Sequence, residues 1–110
     1  MSTFKITIEH LGFAVWKEEH FLSRIMWSEI KEIIAYKTDL FTFDNVCFGF
    51  RTSDCDDYFT VDEEVVDFYD LEKELTSKLD GFDRLWRDKV ILPAFALNRC
   101  TIYGCHFELD

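Results

Sequence analysis

Chemistry needs side chains that can hold a proton, a metal or a reactive electron pair, at spacings a backbone can bring together. This chain of 110 residues offers three histidines, His10, His20 and His106, and four cysteines, Cys47, Cys55, Cys100 and Cys105. The histidines share no His-x3-His spacing, and none stands in the serine or cysteine context of a nucleophilic triad. Cys100-x4-Cys105-His106 comes nearest to a metal knuckle, but a structural zinc site needs two further ligands. Strand alternation also puts Cys105 and His106 on opposite faces. The expectation is therefore no metal and no cofactor. Cys47 and Cys105 read as small core hydrophobes. Cys55, set between acids, reads as exposed with its thiolate disfavoured. Glu18-Glu19 and Glu63-Glu64 could nominally share acid–base work, but 22 Asp and Glu make adjacent pairs a matter of chance. Gly12, Gly49, Gly81 and Gly104 are too scattered to cradle a phosphate. No catalytic residue is assigned, and the chain is expected not to be an enzyme.

Charge is more informative. The net charge is −10. Residues 1–53 carry 7 acids against 6 bases, and residues 71–110 repeat that balance. Residues 54–70 carry 8 acids and no base: Asp54, Asp56, Asp57, Asp62, Glu63, Glu64, Asp67 and Asp70. Such a chain repels nucleic acid and anionic membranes, so direct binding to either is disfavoured. A concentrated acidic face favours a basic partner, because complementary fields speed association and set specificity. Tyr58 and Phe59 lie inside this stretch, and an acidic rim around aromatic anchors suits a protein interface. The stretch reads equally well as a solvated face that keeps the protein soluble, with some acids serving the first turn of a helix.

These residues need elements to position them. Apolar residues at 48%, with 1 proline and 4 glycines, exclude disordered and collagen-like chains, and the length fits one domain over residues 1–110. Met1-Ser2-Thr3-Phe4-Lys5 shows no secretory pattern and no apolar run spans a membrane, so a soluble cytoplasmic protein is expected. Phe4–His10 alternates with period two, and Phe13–Lys17 is read as a returning strand. Residues 18–26 are open between a loop and a helical turn. Trp27–Lys37 is equivocal, with its isoleucines favouring strand. Phe41–Arg51 alternates almost strictly and pairs back through a turn at Asp39–Asp44. Tyr58–Val61 makes a third strand of this meander. Phe68, Leu71, Leu75 and Leu79 form one helical stripe, with Asp67 as N-cap, Asp70 completing a capping box and Gly81 as terminator. A short helix over Asp83–Val90 faces Leu85, Trp86 and Val90 to the core, and Arg99–Leu109 is the last strand. The order predicts an α+β fold: a curved antiparallel sheet of about five to six strands, with two helices inserted before the last strand.

Trp27-Ser28-Glu29-Ile30-Lys31-Glu32-Ile33-Ile34-Ala35-Tyr36-Lys37, Asp39-Leu40-Phe41-Thr42, Val61-Asp62-Glu63-Glu64 and Leu92-Pro93-Ala94-Phe95-Ala96-Leu97-Asn98-Arg99 together resemble a set of small acidic bacterial proteins, over about residues 27–103. That set is similar to immunity proteins of contact-dependent growth inhibition and related toxin systems. The Trp27-Ser28-Glu29-Ile30 entry into a hairpin also resembles PH- or GRAM-like domains, although helices before a last strand depart from that plan. The resemblance implies a cytoplasmic inhibitor that binds a cognate basic toxin domain, a ribonuclease, and covers its active site. It transfers no catalytic residue. The partner-binding residues, Asp54, Asp56, Asp57, Tyr58, Phe59, Asp62, Glu63, Glu64, Asp67 and Asp70, are assigned on charge alone. A PH-like adaptor is the alternative function, and a small enzyme with an unrecognised site is the third.

Overall fold

The computed structural model describes residues 4–39, 44–53, 57–91 and 99–104. Strands β1 (Phe4–Ile8), β2 (Gly12–Lys17) and β3 (His20–Met26) lead into a 3-10 turn at Trp27–Glu29. Strands β4 (Glu32–Asp39), β5 (Asp44–Arg51) and β6 (Phe59–Asp62) follow, then helices α1 (Phe68–Lys78) and α2 (Trp86–Ile91), then β7 (Cys100–Gly104). The class is α+β with both helices ahead of the last strand, as the element order implied. The expected single sheet is instead two antiparallel sheets, ordered β1-β2-β3 and β6-β5-β4-β7.

The unforeseen strand is β3, in the stretch left open between loop and helical turn. It lies at a sheet edge, and His20, Phe21 and Leu22 are all exposed, so no alternation betrays it. Glu18, at φ 57°, turns the chain from β2 into β3. The split into two sheets is made at Trp27. Its backbone N–H donates to Leu11 O at 2.9 Å and its indole Nε1 to His10 O at 3.2 Å, closing the first sheet. The Glu29 carboxylate accepts the Met26 N–H at 3.2 Å and shapes the turn. Lys31 N–H then donates to Arg51 O at 2.8 Å and starts the second sheet. Val66 ties the two together, exchanging backbone bonds of 3.1 Å with Phe4 O and Ile6 N in a parallel bridge on β1.

One core joins the layers. Phe13 from the first sheet meets Phe50 from the second, with ring centroids 5.1 Å apart. Phe48 packs against Phe68 of α1 and Trp86 of α2, at 4.7 and 4.9 Å. Val46, Phe48 and Phe50 face inward as the alternation required. Leu71, Leu75 and Val90 are buried as expected, but Leu85 is 68% exposed. It falls in the turn before α2, where its N–H donates to Asp83 Oδ1 at 2.9 Å, so helical periodicity does not apply to it. The capping box at the start of α1 is also corrected. Asp67 holds the N-cap position in the left-handed region, φ 72°, and its side chain makes no cap bond. From that conformation its carboxylate does not meet the first-turn N–H groups as an extended N-cap does. At the far end Leu79 is the C-cap, and Gly81, at φ 90°, sits one residue beyond the expected terminator position. The residues between β4 and β5, together with Cys55, Cys105, His106 and Phe107, lie outside the described residues. Among the described residues no helix is long and apolar enough to cross a membrane.

Candidate functional site

Asp54 and Asp56 lie outside the described residues. The other eight assigned residues run from the approach to β6 through the following turn into the start of α1. Asp57, Glu64, Asp67 and Asp70 are exposed. Asp62 and Glu63 are half-buried because the fold uses them. Asp62 Oδ1 accepts the Glu64 N–H at 3.0 Å. Glu63 accepts the Val46 N–H at 3.1 Å and the Tyr69 hydroxyl at 3.2 Å. These two carboxylates therefore hold the β6–α1 turn, while four exposed acids present charge to solvent.

The two aromatics do not stand together. Neighbouring residues in extended backbone point to opposite sides. Phe59 packs against the core, and Tyr58 turns to the outer face of the second sheet. The exposed ring near the acids is Tyr69, close in sequence to Asp67 and Asp70 and hydrogen-bonded to Glu63. The Arg87 guanidinium lies 5.7 Å from its centroid. Tyr69 falls off the Phe68-Leu71-Leu75 stripe, and that was the signal available to find it.

Sequence reasoning missed a buried polar network behind Tyr58. Glu32 is 0% exposed, on β4 directly opposite Arg51 on β5. Its Oε1 accepts Arg51 Nε at 3.1 Å and the Tyr58 hydroxyl at 2.5 Å, and its Oε2 accepts Thr101 Oγ1 at 2.8 Å. Arg51 Nη1 also donates to Ser53 O at 2.7 Å. Burial alone would raise the Glu32 pKa, but the bonds from Tyr58, Thr101 and Arg51, with the charge of Arg51, hold it below the ordinary glutamate value. No local motif carried this signal, since Glu32 and Thr101 are 69 positions apart.

Beside the network, the outer face of the second sheet carries a groove of about 620 Å³ lined by Ile34, Tyr36, Lys37, Thr38, Tyr58, Thr60 and Arg99. Gly49 lies in register between Ile34 and Thr60. A Cβ there would come within 2.9 Å of Ile34 Cγ1, so the glycine lets Ile34 and Tyr58 pack across β5. Burial raises the pKa of Tyr36, of Tyr58 and of the nearby Cys47 thiol. These groups stay protonated near neutrality and offer hydrogen-bond donors, not an activated nucleophile. Among the described residues no group of three or more His, Cys, Asp and Glu is placed to hold a metal ion. Comparison with protein-family models, with curated proteins and with solved structures finds no match to this chain.

Proposed function

We propose that the chain is a cytoplasmic immunity protein that binds a cognate basic toxin domain, a ribonuclease, and covers its active site with an acidic face. The observation that carries this reading is the run of eight acids without a base over residues 54–70. Its described members Glu64, Asp67 and Asp70 face solvent close in sequence to the exposed ring of Tyr69, and Asp57 is exposed ahead of β6. A ribonuclease must hold phosphates with lysine and arginine, and an inhibitor that presents carboxylates competes for the same surface. Tyr69 supplies the apolar contact in this arrangement, in place of the expected Tyr58 and Phe59.

The first test is capture of partners from a toxin-expressing lysate of the source strain at low and high salt. A basic nuclease domain should be retained at low salt and weakened at high salt. Purified chain should then block RNA cleavage by that domain at equimolar ratio. The double variant Glu64→Lys/Asp70→Lys changes the face by four charges without touching the carboxylates that hold the turn. It should slow association roughly tenfold at low salt, within the range that electrostatic steering spans. Wild-type association and full protection by this variant would rule the face out. The alternative is a PH-like adaptor, and one observation favours it: seven described strands divide into sheets of three and four. A neutral partner held equally at both salts would select that reading.

A further inference from the structure

We propose that the groove on the outer face of the second sheet binds a small organic anion with a flat apolar body, of the aryl carboxylate class. Its volume of about 620 Å³ lies within the range of small-molecule sites. Ile34, Tyr36 and Tyr58 give it apolar and aromatic walls, and Thr38 and Thr60 add hydroxyls. The charge of the lining is the telling feature. The chain carries 22 acids, yet the described lining residues include the exposed cation Arg99 and no carboxylate, while Lys37 is 2% exposed and stands in register with the inward-facing Val46. The nearest acid in the network, Glu32, is sealed from solvent and already accepts from Arg51, Tyr58 and Thr101.

The geometry assigns roles within the groove. Arg99 is exposed, and its guanidinium lies 5.2 Å from the Tyr58 ring centroid. A guanidinium offers paired donors that match a carboxylate, so Arg99 takes the anionic head. Tyr58 is fixed by its bond to Glu32, which presents a preorganised ring face to a flat body. The site is separate from the acidic turn between β6 and α1, and the proposal does not depend on the partner of that turn.

The test is a two-dimensional amide NMR titration of the full chain with 2-naphthoate, and with 2-naphthalenemethanol as its neutral analogue. Saturable shifts should cluster at Ile34, Tyr36, Gly49 and Thr60, with a dissociation constant of about 1 mM or tighter, which a ligand of this size reaches at ordinary efficiency. Arg99→Gln should weaken 2-naphthoate about tenfold and leave the neutral analogue unchanged, as expected for loss of one charge-assisted contact. Thr60→Trp, at an exposed position on β6, fills the groove without disturbing the core and should abolish binding of both compounds while the remaining spectrum stays folded. Scattered or unsaturable shifts would overturn the proposal. So would equal affinity in Arg99→Gln, or retained binding in Thr60→Trp. Shifts at these residues that follow protein concentration instead of ligand would assign the groove to a second copy of the chain and overturn it as well.

Discussion

Replacing Glu32 with alanine tests the buried polar network of the second sheet. The change takes the Glu32 carboxylate from the Arg51 guanidinium, which is 5% exposed as a residue. It also takes the acceptor away from the Tyr58 and Thr101 hydroxyls. Breaking a buried pair by removing one partner costs about 3–5 kcal/mol. A domain has about 5–15 kcal/mol in all, so a large share of stability goes with one side chain. The urea midpoint should fall by about 2 M at ordinary slopes, and Tm by about 15 °C. Glu32→Leu combined with Arg51→Leu should be less damaging than the sum of the two single changes, because neither side chain is left buried without the other. The pH dependence supplies a second readout. The folded-state pKa of Glu32 is depressed, so its contribution is present above the unfolded value of about 4.3 and is lost as pH falls through the folded value. Glu32→Gln keeps an acceptor but has no proton to take up, so its stability should fall less than wild type between neutral pH and about pH 3. Urea denaturation followed by tryptophan fluorescence at pH 7, 5, 4 and 3 measures both effects. A loss below about 1 kcal/mol for Glu32→Ala, or parallel pH curves for wild type and Glu32→Gln, would refute the reasoning, since either is the size expected of an exposed pair.

Other consequences are as specific. Phe48→Ala removes the ring that joins α1 and α2 to the second sheet, and chemical denaturation should show a loss of about 3–5 kcal/mol with an unchanged slope. Gly104→Ala places a Cβ 1.9 Å from Lys31 O at φ 74°, whereas Gly81→Ala, at φ 90°, meets open space. Thermal melts should therefore rank Gly104→Ala well below Gly81→Ala, whose cost is the backbone strain alone, about 1 kcal/mol. Glu72→Ala deprives the Trp86 indole of its acceptor at 3.1 Å and Arg87 of its partner at 2.9 Å. Hydrogen exchange should show faster opening of α2 by about 1–2 kcal/mol, and an unchanged exchange rate would assign the docking of α2 to the Trp86 ring alone.

What could be read from the residues in order was periodic or compositional. The alternation through Val46, Phe48 and Phe50 and the Phe68-Leu71-Leu75 stripe repeat within a few positions, so a local window shows which face meets the core, whereas the alternation over Phe4–Ile8 showed a strand but buries only Ile6 and leaves Phe4 and Ile8 exposed. The acidic run over residues 54–70 is visible for the same reason, since charge needs no partner to be counted. β3 escaped because this edge strand buries only Ile25, near its end, and one buried position imposes no period. Asp67 matched a cap by residue type, but its backbone is left-handed where the chain leaves the Val66 bridge on β1. The division into two sheets, the opposed directions of Tyr58 and Phe59, and the assembly of Glu32, Arg51, Tyr58 and Thr101 belong to tertiary structure alone. A buried carboxylate is tolerable only where donors converge on it. Here those donors come from three separate stretches of chain, which no local pattern connects before the second sheet has formed.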